Sequence, residues 1–80
     1  MKETIIPLHL VPVGGIVRVK DLTANGNTRR RMLDLGLITD TEVEALMKSP
    51  SGDPVAYQIR GAVIALRSEE ASQILVETIN

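Results

Sequence analysis

Residues 29–76 read RRRMLDLGLITDTEVEALMKSPSGDPVAYQIRGAVIALRSEEASQILV, a short basic helix closed by Gly36 and followed by a series of strands. Asn27 or Thr28 can cap the helix, which runs to about Leu35, with Gly36 in the left-handed conformation that commonly ends one. In that geometry Leu37 folds back against Met32 and fixes the angle at which the chain enters the next strand. From Thr41 to Lys48 the period is two: Val43, Ala45 and Met47 share one face, and Glu42, Glu44 and Lys48 take the other, which Leu46 spoils slightly. Ser49-Pro50-Ser51-Gly52-Asp53-Pro54 is a loop of turn formers suited to joining antiparallel strands. Val55 to Arg60 continues the meander with Val55, Tyr57 and Ile59 inward. Gly61 allows a tight reversal into Val63 to Arg67. Ser68 then caps a single helical turn carrying Glu69 and Glu70 where the helix dipole favours acids, and Ile74 to Glu77 closes as a final strand.

Upstream of the basic helix, Ile5 to Val13 is expected to lie extended across the domain, because Pro7 and Pro12 exclude helix and fit only an edge. Gly14-Gly15 supplies a turn. Ile16, Arg18, Lys20 and Leu22 alternate with Val17, Val19 and Asp21, which suits a half-exposed strand, and Asn25-Gly26 punctuates it. About five short strands with two brief helices give a mainly β fold, a small and highly curved barrel. Eighty residues make one domain, 1–80, without internal repeat or linker. A domain of this size buries only about 60% of the surface its unfolded chain exposes. The hydrophobic share is 44% and Tyr57 is the only aromatic residue, so the core must be aliphatic. The formal net charge of −1 creates no global field toward nucleic acid or anionic lipid. The absence of cysteine excludes disulfides and thiolate metal sites and agrees with an intracellular setting. The apolar run Ile5 to Val13 is broken by Pro7, His9 and Pro12 and is far too short to insert directly into a membrane, so the protein reads as cytoplasmic.

The order strand, basic helix ending LDLGL, strand ending in SPSGDPV, strand, glycine reversal, IALRSEEA and closing ILV resembles the FeoA family of small proteins tied to bacterial ferrous-iron transport. The resemblance covers roughly Leu8 to Glu77. Its most specific pieces are RRMLDLGL at Arg30 to Leu37, PSGDP at Pro50 to Pro54 and LRSEEA at Leu66 to Ala71, in that order. One departure is Ile38-Thr39-Asp40-Thr41, where the family often places Pro-Gly. The resemblance implies an SH3-like barrel serving transition metal ion handling, as a cytoplasmic accessory to the FeoB-type membrane GTPase transporter. A related domain ends the metal regulators of the diphtheria-toxin-repressor type, so a metal-responsive regulatory domain is the alternative. Without a winged helix ahead of the barrel, the free-standing accessory protein is preferred.

Candidate chemistry is sparse. His9 is the only histidine, and a ferrous site normally needs several converging imidazole or carboxylate ligands. Asp40, Glu42 and Glu44 could supply oxygens, but the two glutamates read as the solvated face of a strand, so no metal site is assigned. Gly14-Gly15 opens no phosphate-binding pattern, so no cofactor is expected. Serines without a nearby histidine make no nucleophilic triad, and the chain reads as a non-enzyme. Arg29, Arg30 and Arg31 are the densest charge. Placed at a helix N-terminus they are unfavourable there, and they either lie on a solvated face, with Arg30 paired to Asp34 four residues on, or make an electrostatic contact with a partner surface or phosphate. With one aromatic for stacking and acids balancing bases, nucleic acid is not the expected partner, although a small RNA-binding barrel would show itself by steep salt dependence. Met32, Leu33, Leu35 and Leu37 fall around more than one side of the helix and either plug the barrel end together or leave part of an adaptable patch exposed. The expected contact with the transporter is therefore the helix carrying Arg29, Arg30, Arg31, Met32, Leu33, Leu35 and Leu37. The segment Ile5 to Val13 is a second candidate, since its release would open a strand edge. Weak homo-oligomers are compatible with such edges.

Overall fold

In the computed structural model, which describes residues 4–78, hydrogen-bonded strands and three helical segments surround one apolar core. Strand β1 covers Ile5–Pro7, and a 3₁₀ turn over Leu8–Leu10 leads through a loop to β2, Ile16–Leu22. Helix α1 covers Gly26–Asp34. Strands β3 (Glu42–Lys48), β4 (Val55–Ile59) and β5 (Ala62–Leu66) follow, then helix α2 (Ser68–Ala71) and strand β6 (Ile74–Thr78). These six strands of the described residues form one antiparallel sheet in the order β1-β6-β2-β3-β4-β5. The mainly β fold with two α-helices is as expected, and the sixth strand is the short β1.

The opening segment is extended only as far as Pro7, where β1 lies at a sheet edge beside β6. Beyond it the expectation of an extended run to Val13 fails: Leu8 to Leu10 turns, because Pro7 at φ −66° and ψ 144° can precede a 3₁₀ turn without entering it. The turn buries Leu8 completely and leaves Leu10 outside.

Two bulges decide which side chains reach the core. In β2 the register against β6 passes from Val19↔Val76 to Asp21↔Leu75, so Lys20 is the extra residue. A strict alternation through Val17 and Val19 would bring Asp21 inward. The bulge restores the phase instead, burying Leu22 and leaving Asp21 exposed, with its carboxylate accepting the Leu22 N–H at 2.8 Å. In β3 the register passes from Ala45↔Tyr57 to Met47↔Ala56. Val43 and Ala45 are buried as the alternation predicts, but Met47 is turned outward and is 64% exposed. The expected inward Met47 is thereby corrected.

The β4–β5 reversal uses Arg60 at φ +50° and Gly61 at φ +82° between the paired residues Ile59 and Ala62. Two successive positive φ values are the mirror-image turn that matches strand twist, and glycine adopts the second without steric cost. The core is aliphatic apart from Tyr57 and draws Val17, Val19, Val43, Ile59, Leu66, Ile74 and Val76 from the sheet, Leu8 from the 3₁₀ turn, and Met32 and Leu37 from α1 and its exit. Among the described residues no polar or charged residue is buried in that core.

Candidate functional site

Helix α1 starts earlier than expected. Asn25, extended at φ −121° and ψ 166°, is the residue before the first turn, and Gly26 is the first helical residue. Arg29, Arg30 and Arg31 therefore sit in the middle of the helix rather than at its positive end, and the electrostatic penalty expected for them falls away. At the other end Gly36, at φ +96°, follows Leu35. The Gly36 N–H donates to the Leu33 carbonyl and the Leu37 N–H to the Met32 carbonyl, each at 3.0 Å. This pair of bonds, with Met32 and Leu37 both fully buried, is the glycine-terminated helix stop and its accompanying hydrophobic contact.

That geometry divides the predicted docking residues. Met32 and Leu37 are fully buried in the core, and of the two only Leu37 also lines the depression described below. Leu35 is half-buried and packs on the core. Leu33, one residue after Met32 and so turned about a third of the way round the helix, is 40% exposed. Arg29 and Arg30 lie four and three residues before Leu33 and share its side of the helix.

The arginines differ in what they hold. Arg29 Nη1 donates to the Leu22 carbonyl at 3.0 Å, fastening the helix to the end of β2. Arg31 pairs with the Glu70 carboxylate of α2. The expected Arg30 pairing with Asp34 is absent, and among the described residues Arg30 has no ion pair. Its guanidinium is exposed and keeps all its donors.

Beside this face lies a small cavity of about 130 Å³, lined by residues that include Leu22, Arg29, Leu33, Leu37, Ile38 and Thr39. Ile38, in the turn leaving α1, is 46% exposed. Pockets for drug-sized ligands begin near ~300 Å³, so this one suits a single aliphatic side chain. Arg29, Leu33 and Ile38, together with Asp21, thus line a side-chain-sized depression, and Arg30 lies on the same side of the helix beside it. Ile38 was missed in sequence because it lies in a turn, where apolar periodicity carries no signal.

The remaining candidates are scattered. His9 is exposed in the 3₁₀ turn. Asp40, Glu42 and Glu44 line an open groove with Arg60 and Gln58, and Asp40 is 3.7 Å from Lys20 Nζ. Among the described residues no three His, Cys, Asp or Glu side chains are grouped so as to hold a metal ion. No helix among them is long and apolar enough to cross a membrane.

Residues 6–78 match the FeoA domain family model. An Fe(2+) transport protein A/Fe(2+) transporter FeoB fusion protein from Porphyromonas gingivalis is 34% identical over 73 residues, covering 91% of this chain. The chain spans only 8% of that relative's length. The solved structure of a FeoA-like protein from Clostridium acetobutylicum is similar at 35% identity and TM-score 0.88, covering 100% of this chain and 92% of that one. The zinc-complexed FeoA of Stenotrophomonas maltophilia, a prokaryotic SH3 domain protein, is 30% identical with TM-score 0.78 and 86% coverage of both chains. The six-stranded antiparallel sheet described above is accordingly an SH3-like fold.

Proposed function

This chain belongs to the FeoA family, and from that premise we propose that it is a non-catalytic, cytoplasmic accessory protein of ferrous-iron uptake that binds and modulates a FeoB-type GTPase transporter. The fusion relative carries the reading: there, a stretch similar to this chain shares one polypeptide with the transporter. Covalent linkage keeps two modules at high effective concentration, a benefit only if they act together. Separate chains must then meet through a surface of their own.

The α1 face supplies such a surface. Arg30 offers unengaged donors to a carboxylate, and the depression between Leu33 and Ile38 accepts an aliphatic side chain, an apolar centre beside a charged rim. The ferrous ion is cargo in this scheme and is not held by the module. A single histidine and no cysteine support a role without catalysis.

The test is calorimetric titration of the protein into the cytosolic part of its transporter, with GDP and with a non-hydrolysable GTP analogue. Binding in either state is expected, and a difference between states makes the contact regulatory. Arg30→Glu is expected to weaken binding by about tenfold while leaving the fold intact. Unchanged affinity would exclude the α1 face, and absence of binding in both states would sink the adaptor reading itself.

A further inference from the structure

The five residues of β5, Ala62-Val63-Ile64-Ala65-Leu66, are all apolar, and β5 ends the sheet with β4 on one side and no strand on the other. An open edge is normally blunted by charge, proline, a bulge or shortness. The opposite edge follows that rule, because β1 has three residues and finishes in Pro7. Edge β5 has none of these devices. Its register with β4 runs without a shift from Val55↔Leu66 to Ile59↔Ala62. Val63 is 65% exposed, and a row formed by Met47, Ala56 and Ala65 crosses β3, β4 and β5 on the outer face to reach the same edge.

We propose that β5 is a self-association edge, at which two copies of this chain pair their β5 strands antiparallel about a two-fold axis at Ile64. The sequence matches itself in that register. Ala62 faces Leu66 of the second copy and Val63 faces its Ala65, so a small residue meets a larger one at each flanking position and no polar group is left between them. The outer row ending at Ala65 is continued by the second copy's Val63, so the exposed side chains at the edge each gain an apolar cross-strand neighbour.

The strand ends carry opposite charges that the same axis brings toward each other. Each end of the pair sets the β4–β5 turn of one copy, with Arg60, toward the first turn of the other copy's α2, with Glu69. Arg60 and Glu69 are both exposed, and neither has an ion pair among the described residues. Arg67 comes opposite Gly61, which has no side chain to crowd it. An isologous interface makes each of these contacts twice. The proposal uses no residue of α1 and stands apart from the transporter contact.

Sedimentation velocity over a concentration series, with amide hydrogen exchange on the same samples, tests it. The expected result is a shift from monomer toward dimer as concentration rises, with protection of Ala62 to Leu66 growing in parallel. Val63→Lys adds a charge to each copy at an exposed position. It is expected to weaken the dimer by about tenfold with an unchanged circular dichroism spectrum. A monomer at every concentration would overturn the proposal, as would a dimer indifferent to Val63→Lys. So would β5 protection that ignores concentration and arises only on adding the transporter's cytosolic part, since the strand would then come from that partner.

Discussion

Gly36 shows how one residue carries a structural junction. At φ +96° it stands where side chains are strained whatever the space around them, and a Cβ there would collide with Arg60 Cδ. Arginine is flexible and can move, so the backbone sets the cost of a substitution. Gly36→Ala is expected to destabilise the fold by about 1–2 kcal/mol, which lowers the thermal midpoint by about 4–8 °C per kcal/mol in a domain of this size. Adding Arg60→Ala should restore little of that loss, and full restoration in denaturant titrations would show that crowding, not φ, was responsible. Neighbouring side chains separate sharply. Met32→Ala empties a fully buried site and should cost about 2–5 kcal/mol, whereas Leu33→Ala, on the exposed side, should cost under about 1 kcal/mol. Tyr57 adds a pH signature. Burial, and secondarily the negative charge of Asp53, raise its pKa above 10.0. The folded state therefore holds the phenolic proton more tightly than the unfolded chain does. That stabilisation is complete below pH 10.0 and declines as pH rises through the folded value. Denaturant midpoints measured against pH should show this alkaline fall, and Tyr57→Phe should remove the part that tracks tyrosinate absorbance.

At the scale of elements, α1 and α2 are joined by Glu70. Its carboxylate pairs with Arg31 and also accepts the Arg67 N–H at 3.1 Å, ahead of the first turn of α2. Asp53 adds to that start by accepting the Ser68 N–H at 2.8 Å, so Ser68 is the first helical residue and not the cap expected of it. The Arg31 side chain is 56% exposed, which limits the ion pair to under about 1 kcal/mol. Arg31→Ala should thus be mild and Glu70→Ala distinctly worse, by about 1 kcal/mol, because it also removes a capping acceptor. Equal losses in urea titrations would mean the cap contributes nothing. Strand positions, the Gly36 stop and the Arg60-Gly61 reversal were legible in sequence, since periodicity and glycine report local backbone geometry directly. The bulges at Lys20 and Leu46 were not. Each inserts a residue whose only signature is a break in alternation, and Leu46 itself looked like a flaw in a polar face. What they displaced, an outward Met47 and an inward Leu22, depends on pairing with distant β4 and β6. Of the expected contact set, charge and helix were readable, but the division between buried Met32 and Leu37 and exposed Leu33 depends on which side of α1 packs on the core.

For the whole molecule, the net charge of −1 gives no long-range attraction, so in the proposed complex steering toward the transporter rests on local charge such as that of the α1 arginines. Stopped-flow association rates with the transporter's cytosolic part should fall as salt rises through ~0.1 M, where the Debye length is about 10 Å. Arg30→Glu should flatten that slope. A slope unchanged by the substitution would place the electrostatic contact elsewhere. The fully buried anchors Met32 and Leu37 hold α1 by one side only, and this has an evolutionary consequence. Folding asks almost nothing of Arg29, Arg30 and Leu33 beyond the Arg29 bond to β2, so these positions are free to drift. In the proposed complex, a lineage can re-match module and transporter through a handful of outer helix positions, while Met32, Gly36 and Leu37 stay fixed beneath them.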